Sequence, residues 1–307
     1  APHPRLLEHT MSATARGPLP WLAFLTCCAI WGSTFLFIRM SNAGTPPVLG
    51  SALRLALAAG LFAVLGLVLR RPWPGARGIR SALGYGTLNF GVSLPLLYWG
   101  QVSVPSGFAA IFYGTIPLTT ALFARALGLE PLRPRIVGAS LVALVGVTVL
   151  VSSRITGAIA PLHMAAVAAA ATTAGMSGVL LKRAEALDPF TSNAWAHGVG
   201  AVVCLLASRA LGEPQHLPQG DAWWPVIYLV TVGSIGAFTT FTWLIARWPV
   251  TRISFSSVII PVVALGLGTL VLHERPGTTA IVGAAVILGA VIVGLLGEGA
   301  VSGRERG

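Results

Sequence analysis

The stretch Ser106–Glu130, SGFAAIFYGTIPLTTALFARALGLE, is an apolar segment of membrane length with a proline at its middle and a carboxylate at its end. It returns as Val250–Glu274, VTRISFSSVIIPVVALGLGTLVLHE, with Pro117 falling on Pro261 and Glu130 on Glu274 without a gap. Each copy leads into an apolar stretch opened by a Gly-Ala pair, Gly138 and Ala139 in one and Gly283 and Ala284 in the other. A chain that repeats at this period is two copies of one unit, and the unit governs how each residue is interpreted.

Hydrophobic residues make up 55% of the chain and charged residues 9%, and the mean hydropathy is +0.80, which excludes a water-soluble domain of 307 residues. The apolar runs are continuous and about 20 residues long, whereas barrel strands alternate and need only about 10. The expected fold class is therefore an all-α membrane protein. Ten candidate spans follow: Leu19–Ile38, Pro46–Leu69, Ala82–Val102, Ser106–Gly128, Pro134–Val151, Ala158–Leu181, Pro189–Ala210, Trp223–Ala246, Ile253–Leu272 and Thr278–Gly297. Residues 1–18 are a polar tail with no cleavable signal pattern, 19–151 the first repeat, 158–297 the second, and 298–307 a second tail.

Five spans per unit is an odd number, so the second copy enters the membrane upside down relative to the first. At an offset of 143 the copy extends beyond the opening segment, with Gly32 on Gly175, Arg39 on Lys182, Pro46 on Pro189, Arg54 on His197 and Tyr85 on Tyr228. Two inverted five-helix repeats around a central cavity are what secondary transporters use to expose one site alternately to each side.

The net charge of +11 does not imply a nucleic-acid partner, because the basic residues sit almost entirely in short loops. With a cytoplasmic N-terminus, fifteen of them fall on inside segments and four, Arg39, Arg154, Arg209 and Arg275, on outside loops, which places both termini in the cytoplasm. Trp21, Trp73, Trp223, Trp224 and Trp248 fall at span ends, the headgroup level where an amphipathic ring belongs. One Lys against nineteen Arg, with many Ala and Gly, suggests GC-rich bacterial coding DNA, hence the inner membrane. Cys27, Cys28 and Cys204 lie inside apolar runs, so no disulfide framework is expected.

The WGSTF motif at 31–35, the proline-centred helix closing on Leu129 and Glu130, and the Gly-Ala helix after it, present in both halves, resemble the drug/metabolite transporter superfamily in its ten-helix EamA form. Nearly the whole chain shares the resemblance. It implies helices 1, 3, 4, 6, 8 and 9 around the cavity, helices 5 and 10 at the periphery, and a function similar to bacterial exporters of amino acids, aromatic ones among them, and related metabolites.

Several side chains are candidates to line such a path. Arg54 lies about 12 Å along helix 2, where a guanidinium meets a solute carboxylate, pairs with backbone carbonyls, or snorkels. His197, its repeat mate, either couples to protons or is a neutral buried histidine. Trp31, Thr34, Tyr85, Asn89, Tyr98, Trp99, Tyr113, Thr173, Met176, Ser234, Thr242 and Ser257 supply hydroxyls, amides and rings. Such groups suit a small amphipathic solute, although each also serves ordinary helix packing. Pro117 and Pro261 free backbone carbonyls near mid-membrane and mark kinks or gates. Glu130 and Glu274, at span ends, read as caps or loop anchors. No carboxylate falls within a span, so either transport runs downhill or coupling uses His197 or the solute's own charge.

The expected function is export of amino acids or similar small molecules by alternating access, in a lipid bilayer, by a single chain, with no cofactor, metal or nucleic acid. Carriage of lipophilic cations or drugs is weaker because no buried anion receives them. A membrane enzyme lacks paired carboxylates and a ligand cluster. An ATP-driven pump is excluded because the only lysine, Lys182, follows Leu181 rather than a Walker A loop. A passive channel would share the inverted repeat.

Overall fold

A computed structural model describes residues 17–104, 106–152, 160–184, 187–271 and 277–296. Among the described residues there are ten helical spans. They are α1 (Pro18–Asn42), α2 (Pro47–Val68), α3 (76–100), α4 (Ser106–Tyr113 and Ile116–Ala126), α5 (Pro134–Val151), α6 (Pro161–Arg183), α7 (Thr191–Ala210), α8 (223–245), α9 (Val250–Ser254 and Ser256–Val271) and α10 (Thr278–Leu296). Pro18, Pro47, Pro134 and Pro161 open four of them, positions where a missing N–H costs nothing and a fixed φ fits the helix. Span 3 starts six residues earlier than its apolar run, because Ala76–Gly86 carries Arg77 and Arg80 on a helix that begins outside the hydrocarbon. The expected ends at 158–159, Leu272 and Gly297, and all of both tails but Gly17 and Pro18, lie outside the described residues, as does Glu274.

The inversion follows from which helix ends are tied together. At the end of the bundle where α1 begins, here the proximal face, Lys182 Nζ donates to the Ile245 and Trp248 carbonyls at 2.7 and 2.9 Å. Arg71 meets Asp188 at 2.7 Å, and Arg135 donates to the Gly294 carbonyl at 3.3 Å on the same side of the repeat. At the distal face, Asn42 Nδ2 donates to the Tyr98 carbonyl, and the Glu213 carboxylate accepts the Val48 and Leu49 N–H groups at 3.0 and 2.8 Å. Thus α1 ends and α6 begins on the distal side, the latter through the Ser103–His163 contact, so the two repeats run in opposite directions.

Two glycines display the same symmetry in the packing. A Cβ on Gly32 would sit 2.6 Å from Val263 Cγ1, and one on Gly175 would sit 2.6 Å from Thr119 Oγ1. These pairs occupy corresponding positions of the two repeats, so α1 crosses α9 as α6 crosses α4, at a distance only a side-chain-free residue permits. Outside this core α2 packs along α7, and α5 packs along α10. Leu141, Val142 and Val145 of α5 and Ile281, Ile292 and Val293 of α10 are exposed, an apolar face suited to lipid. Cys27, Cys28 and Cys204 are buried thiols.

Candidate functional site

A cavity of about 150 Å³ lies between the repeats, lined by α1, α3, α4, α6, α8 and α9, with Arg54 reaching it from α2. Its walls are mostly apolar, including Trp31, Phe35, Ile38, Phe90, Leu97, Phe238, Phe241 and Ile260. Among them stand a few polar side chains, chiefly Thr34, Asn89, Ser93, Tyr113, Thr120, Ser177, Ser254, Ser256 and Ser257. Among the described residues no carboxylate lines it, so Arg54 is its fixed charge.

Two local irregularities build this wall. α3 contains a π-helical segment at Thr87–Ser93, and α8 contains one at Thr231–Gly236, the matching stretch of the other repeat. A π turn widens the helix by one residue and loosens carbonyls from the regular ladder. One of them, Gly233 O, accepts a hydrogen bond from Arg54 Nη2 at 3.0 Å, while Arg54 Nε donates to Ser234 Oγ at 3.0 Å. The third guanidinium nitrogen, Nη1, makes no hydrogen bond of normal length although the residue is only 2% exposed, and the Tyr98 hydroxyl, buried and likewise unpartnered, lies near the guanidinium. A buried charged donor left open is costly unless something that enters the cavity meets it.

The two prolines hold corresponding positions but do not look alike. Pro261 sits inside the helical segment Ser256–Val271. Pro117 does not kink a helix: α4 breaks at residues 114–115, and Pro117 lies in the first turn of the next segment, where its ring is tolerated. At Pro261 the absent N–H is the one that would bond the Ser257 carbonyl four residues back, whereas Pro117, in a first turn, has no such bond to lose and follows the break beside Tyr113. Both of those residues line the cavity.

Of the side chains singled out in the sequence, Trp31, Thr34, Arg54, Tyr85, Asn89, Tyr113 and Ser257 line the cavity. Tyr98, Trp99, Thr173, Met176, His197, Ser234 and Thr242 do not. Tyr98 is fully buried near the distal end of α3, and Trp99 meets the His163 ring edge-on at 4.5 Å. The Thr173 hydroxyl is turned back onto the Ala169 and Ala170 carbonyls. Met176 is half-buried outside the wall. Ser234 stands behind the cavity, holding Arg54, and Thr242 accepts from Asn193 Nδ2 at 2.9 Å. His197 is enclosed by the rings of Phe90, Phe62 and Phe238, at 4.0, 5.0 and 5.3 Å, with Nδ1 against the Asn193 carbonyl. Phe90 and Phe238 border the cavity themselves, so His197 lies behind them and not on the wall where its candidacy as a lining residue put it.

The polar wall includes groups the sequence reading passed over. Ser177 donates to Asn89 Oδ1 at 3.0 Å, and Asn89 Nδ2 donates to the Tyr85 hydroxyl at 3.2 Å, a chain that crosses from the second repeat to the first. Ser93 donates to the Ala170 carbonyl at 2.7 Å. The clue to Ser177 was its position two residues after Gly175, whose close packing fixes the rotation of α6.

Glu130 is the cap expected of it. Its carboxylate accepts the Val250 N–H at 2.6 Å and the Thr251 N–H and hydroxyl at 3.4 and 2.5 Å, placing a negative charge at the start of α9.

Two inverted helical repeats enclosing one largely apolar compartment, with a few polar side chains on its wall, define a membrane transporter fold. The chain belongs to the EamA-like transporter family, whose model matches residues 19–152 and again 162–296. It is 31% identical over 283 residues to the aromatic amino acid exporter YddG of Ancylobacter novellus, covering 88% of this chain and 95% of that one. It is 29% identical over 273 residues to the uncharacterized inner membrane transporter YedA of Escherichia coli, covering 88% of each. A solved crystal structure shares the fold with a TM-score of 0.71 at 23% identity, covering 90% of this chain and 96% of that one.

Proposed function

We propose that this protein exports amino acids, aromatic ones among them, or closely related small metabolites across the bacterial inner membrane, with both termini cytoplasmic. The observation that carries the reading is Arg54: one guanidinium on the cavity wall, held by two hydrogen bonds, with a third nitrogen open and no carboxylate opposite it among the described residues. Such a site receives a carboxylate, by charge and by fork geometry. The rings of Trp31, Phe35, Phe238 and Phe241 offer apolar and cation-attracting faces to the rest of the solute. The cavity volume of about 150 Å³ supports a small solute, since drug-sized ligands occupy clefts of roughly 300–1,000 Å³. The aromatic substrate named for YddG is in keeping with these rings.

Alternating access requires the proximal ties to open. In this structure that face is tied by Lys182 on the α8 carbonyls, by Glu130 on α9, and by Trp21 packed edge-on against Trp248 at 4.9 Å with Arg252 over both rings. Counterflow of labelled amino acids in proteoliposomes tests the proposal. Saturable exchange with phenylalanine, tryptophan or a smaller amino acid supports it; flux that rises linearly without saturation, or no exchange with any amino acid, overturns it.

A further inference from the structure

The proximal face carries a second cleft, of about 330 Å³, away from the central cavity. It is lined by residues 72–78, the α2–α3 connection and the first turn of α3, and by Leu187 and Asp188 of the α6–α7 connection, so its walls come from both repeats. One arginine, Arg77, is on its wall, and four more exposed arginines, Arg70, Arg71, Arg80 and Arg183, stand on the adjoining helix ends and turns. The acidic groups of the same connections are Asp188, whose carboxylate Arg71 already engages at 2.7 Å, and Glu185, which lies outside the described residues. From residue 9 to residue 129 the sequence contains no Asp or Glu.

Two independent features adjoin this charge. The last turn of α2 presents Leu67, Val68 and Leu69 at 64%, 72% and 51% exposure, an apolar strip immediately before the arginines, and Trp73 follows at 43%. The turn between strip and cleft is also unusual in its backbone. α2 ends with Arg70 N–H on the Leu67 carbonyl and Arg71 N–H on the Gly66 carbonyl, a helix stop that puts the intermediate residue in the left-handed region. α4 and α7 end in the same way with Gly128 and Gly212 at φ +68 and +69, but α2 puts Arg70 there at φ 50. An arginine kept where the other helices use glycine is a conformation held at a cost, which points to a use for its charge.

We propose that this cleft binds the phosphate of an anionic phospholipid headgroup, with acyl chains along the strip at 67–69. Arginine is suited to phosphate by its planar fork, and a basic pocket set between helices beside an apolar face selects an amphiphile over a soluble anion. Because Thr191 Oγ1 donates to the Pro72 carbonyl at 2.8 Å and Arg71 reaches Asp188, a lipid seated here fastens both repeats on the proximal side. The inference rests on the membrane fold and the surface, not on what the central cavity carries.

The test is native mass spectrometry of the full-length protein released from nanodiscs of phosphatidylcholine mixed with phosphatidylglycerol. Wild type retains phosphatidylglycerol about five-fold or more over phosphatidylcholine, and the double change Arg70→Gly, Arg80→Gln removes that preference, as expected for charge-selected lipid. Glycine suits the left-handed position, so the Arg70→Gly single variant in pure phosphatidylcholine melts at or above the wild-type temperature, which separates lost lipid from lost fold. Arg209→Gln, an exposed change on the distal face, leaves retention unaltered. Equal retention of the two lipids, or the same loss in Arg209→Gln, overturns the proposal. Displacement of the lipid by millimolar inorganic phosphate overturns the lipid assignment and makes the ligand a soluble anion.

Discussion

Replacing Arg54 by Gln leaves a side chain of comparable reach but removes the charge that the cavity otherwise lacks. Counterflow of carboxylate-bearing amino acids is expected to fall at least about ten-fold, since a charge-assisted hydrogen bond contributes roughly 1.5–3 kcal/mol. Rates for the corresponding amides should change much less, and equal losses for acid and amide would remove Arg54 from the binding step. Arg54 also shows how much of a site a sequence discloses at this scale. Its charge within a span was legible, but the sequence left it free to meet a solute, pair with carbonyls or snorkel, and only the fold buries it. Its partners were not legible, because Gly233 and Ser234 belong to a helix 180 residues away whose rotation the sequence leaves free.

At the scale of the element, helix ends and helix crossings make separate predictions. Glu130→Gln keeps the shape of the α9 cap but weakens three contacts to Val250 and Thr251, and should cost about 1–2 kcal/mol, read as a lower melting temperature in detergent. An unaltered melting temperature would show that the cap contributes nothing. Gly283→Leu places a Cβ 2.4 Å from the Leu150 backbone nitrogen, so α5 and α10 must separate at a cost of about 1–3 kcal/mol. The cavity borrows no residue from either helix, so counterflow measured at low temperature should persist in that variant. The same scale explains why half of the candidate residues missed the wall. Tyr85 and Asn89 begin a face that a regular α3 would continue through residue 99, but the π segment at Thr87–Ser93 inserts a residue. The lining then runs through Ser93, Leu94 and Leu97, and Trp99 turns away to His163.

For the molecule as a whole, the testable quantity is which end faces the cytoplasm. Cysteines placed at Arg80 on the proximal face and at Gln215 on the distal one, in a chain with its three buried native thiols replaced, should differ in labelling. A membrane-impermeant maleimide is expected to reach the distal site in intact spheroplasts and the proximal one only after permeabilisation. The reverse pattern would contradict the charge-based orientation, in which basic loops stay inside. The ties across the proximal face give the same assay a second reading. If Glu130 and Lys182 hold that end shut, Glu130→Gln should speed maleimide labelling of a cysteine at Ser254 on the cavity wall in permeabilised cells.

The sequence alone determined that the chain is helical and membrane-embedded, that it is two copies of a five-span unit, and that the copies are inverted. Those conclusions follow from run length, composition and an odd span count, which are properties of the chain read in one dimension. The tertiary structure decided which side of each helix meets the cavity, that His197 is walled off by phenylalanines, and that Arg54 keeps one nitrogen open. Membrane helices are apolar all round, so no periodicity fixes their rotation. It is set by close approaches such as Gly32 to Val263 and Gly175 to Thr119, and by the π turns that shift the register between them.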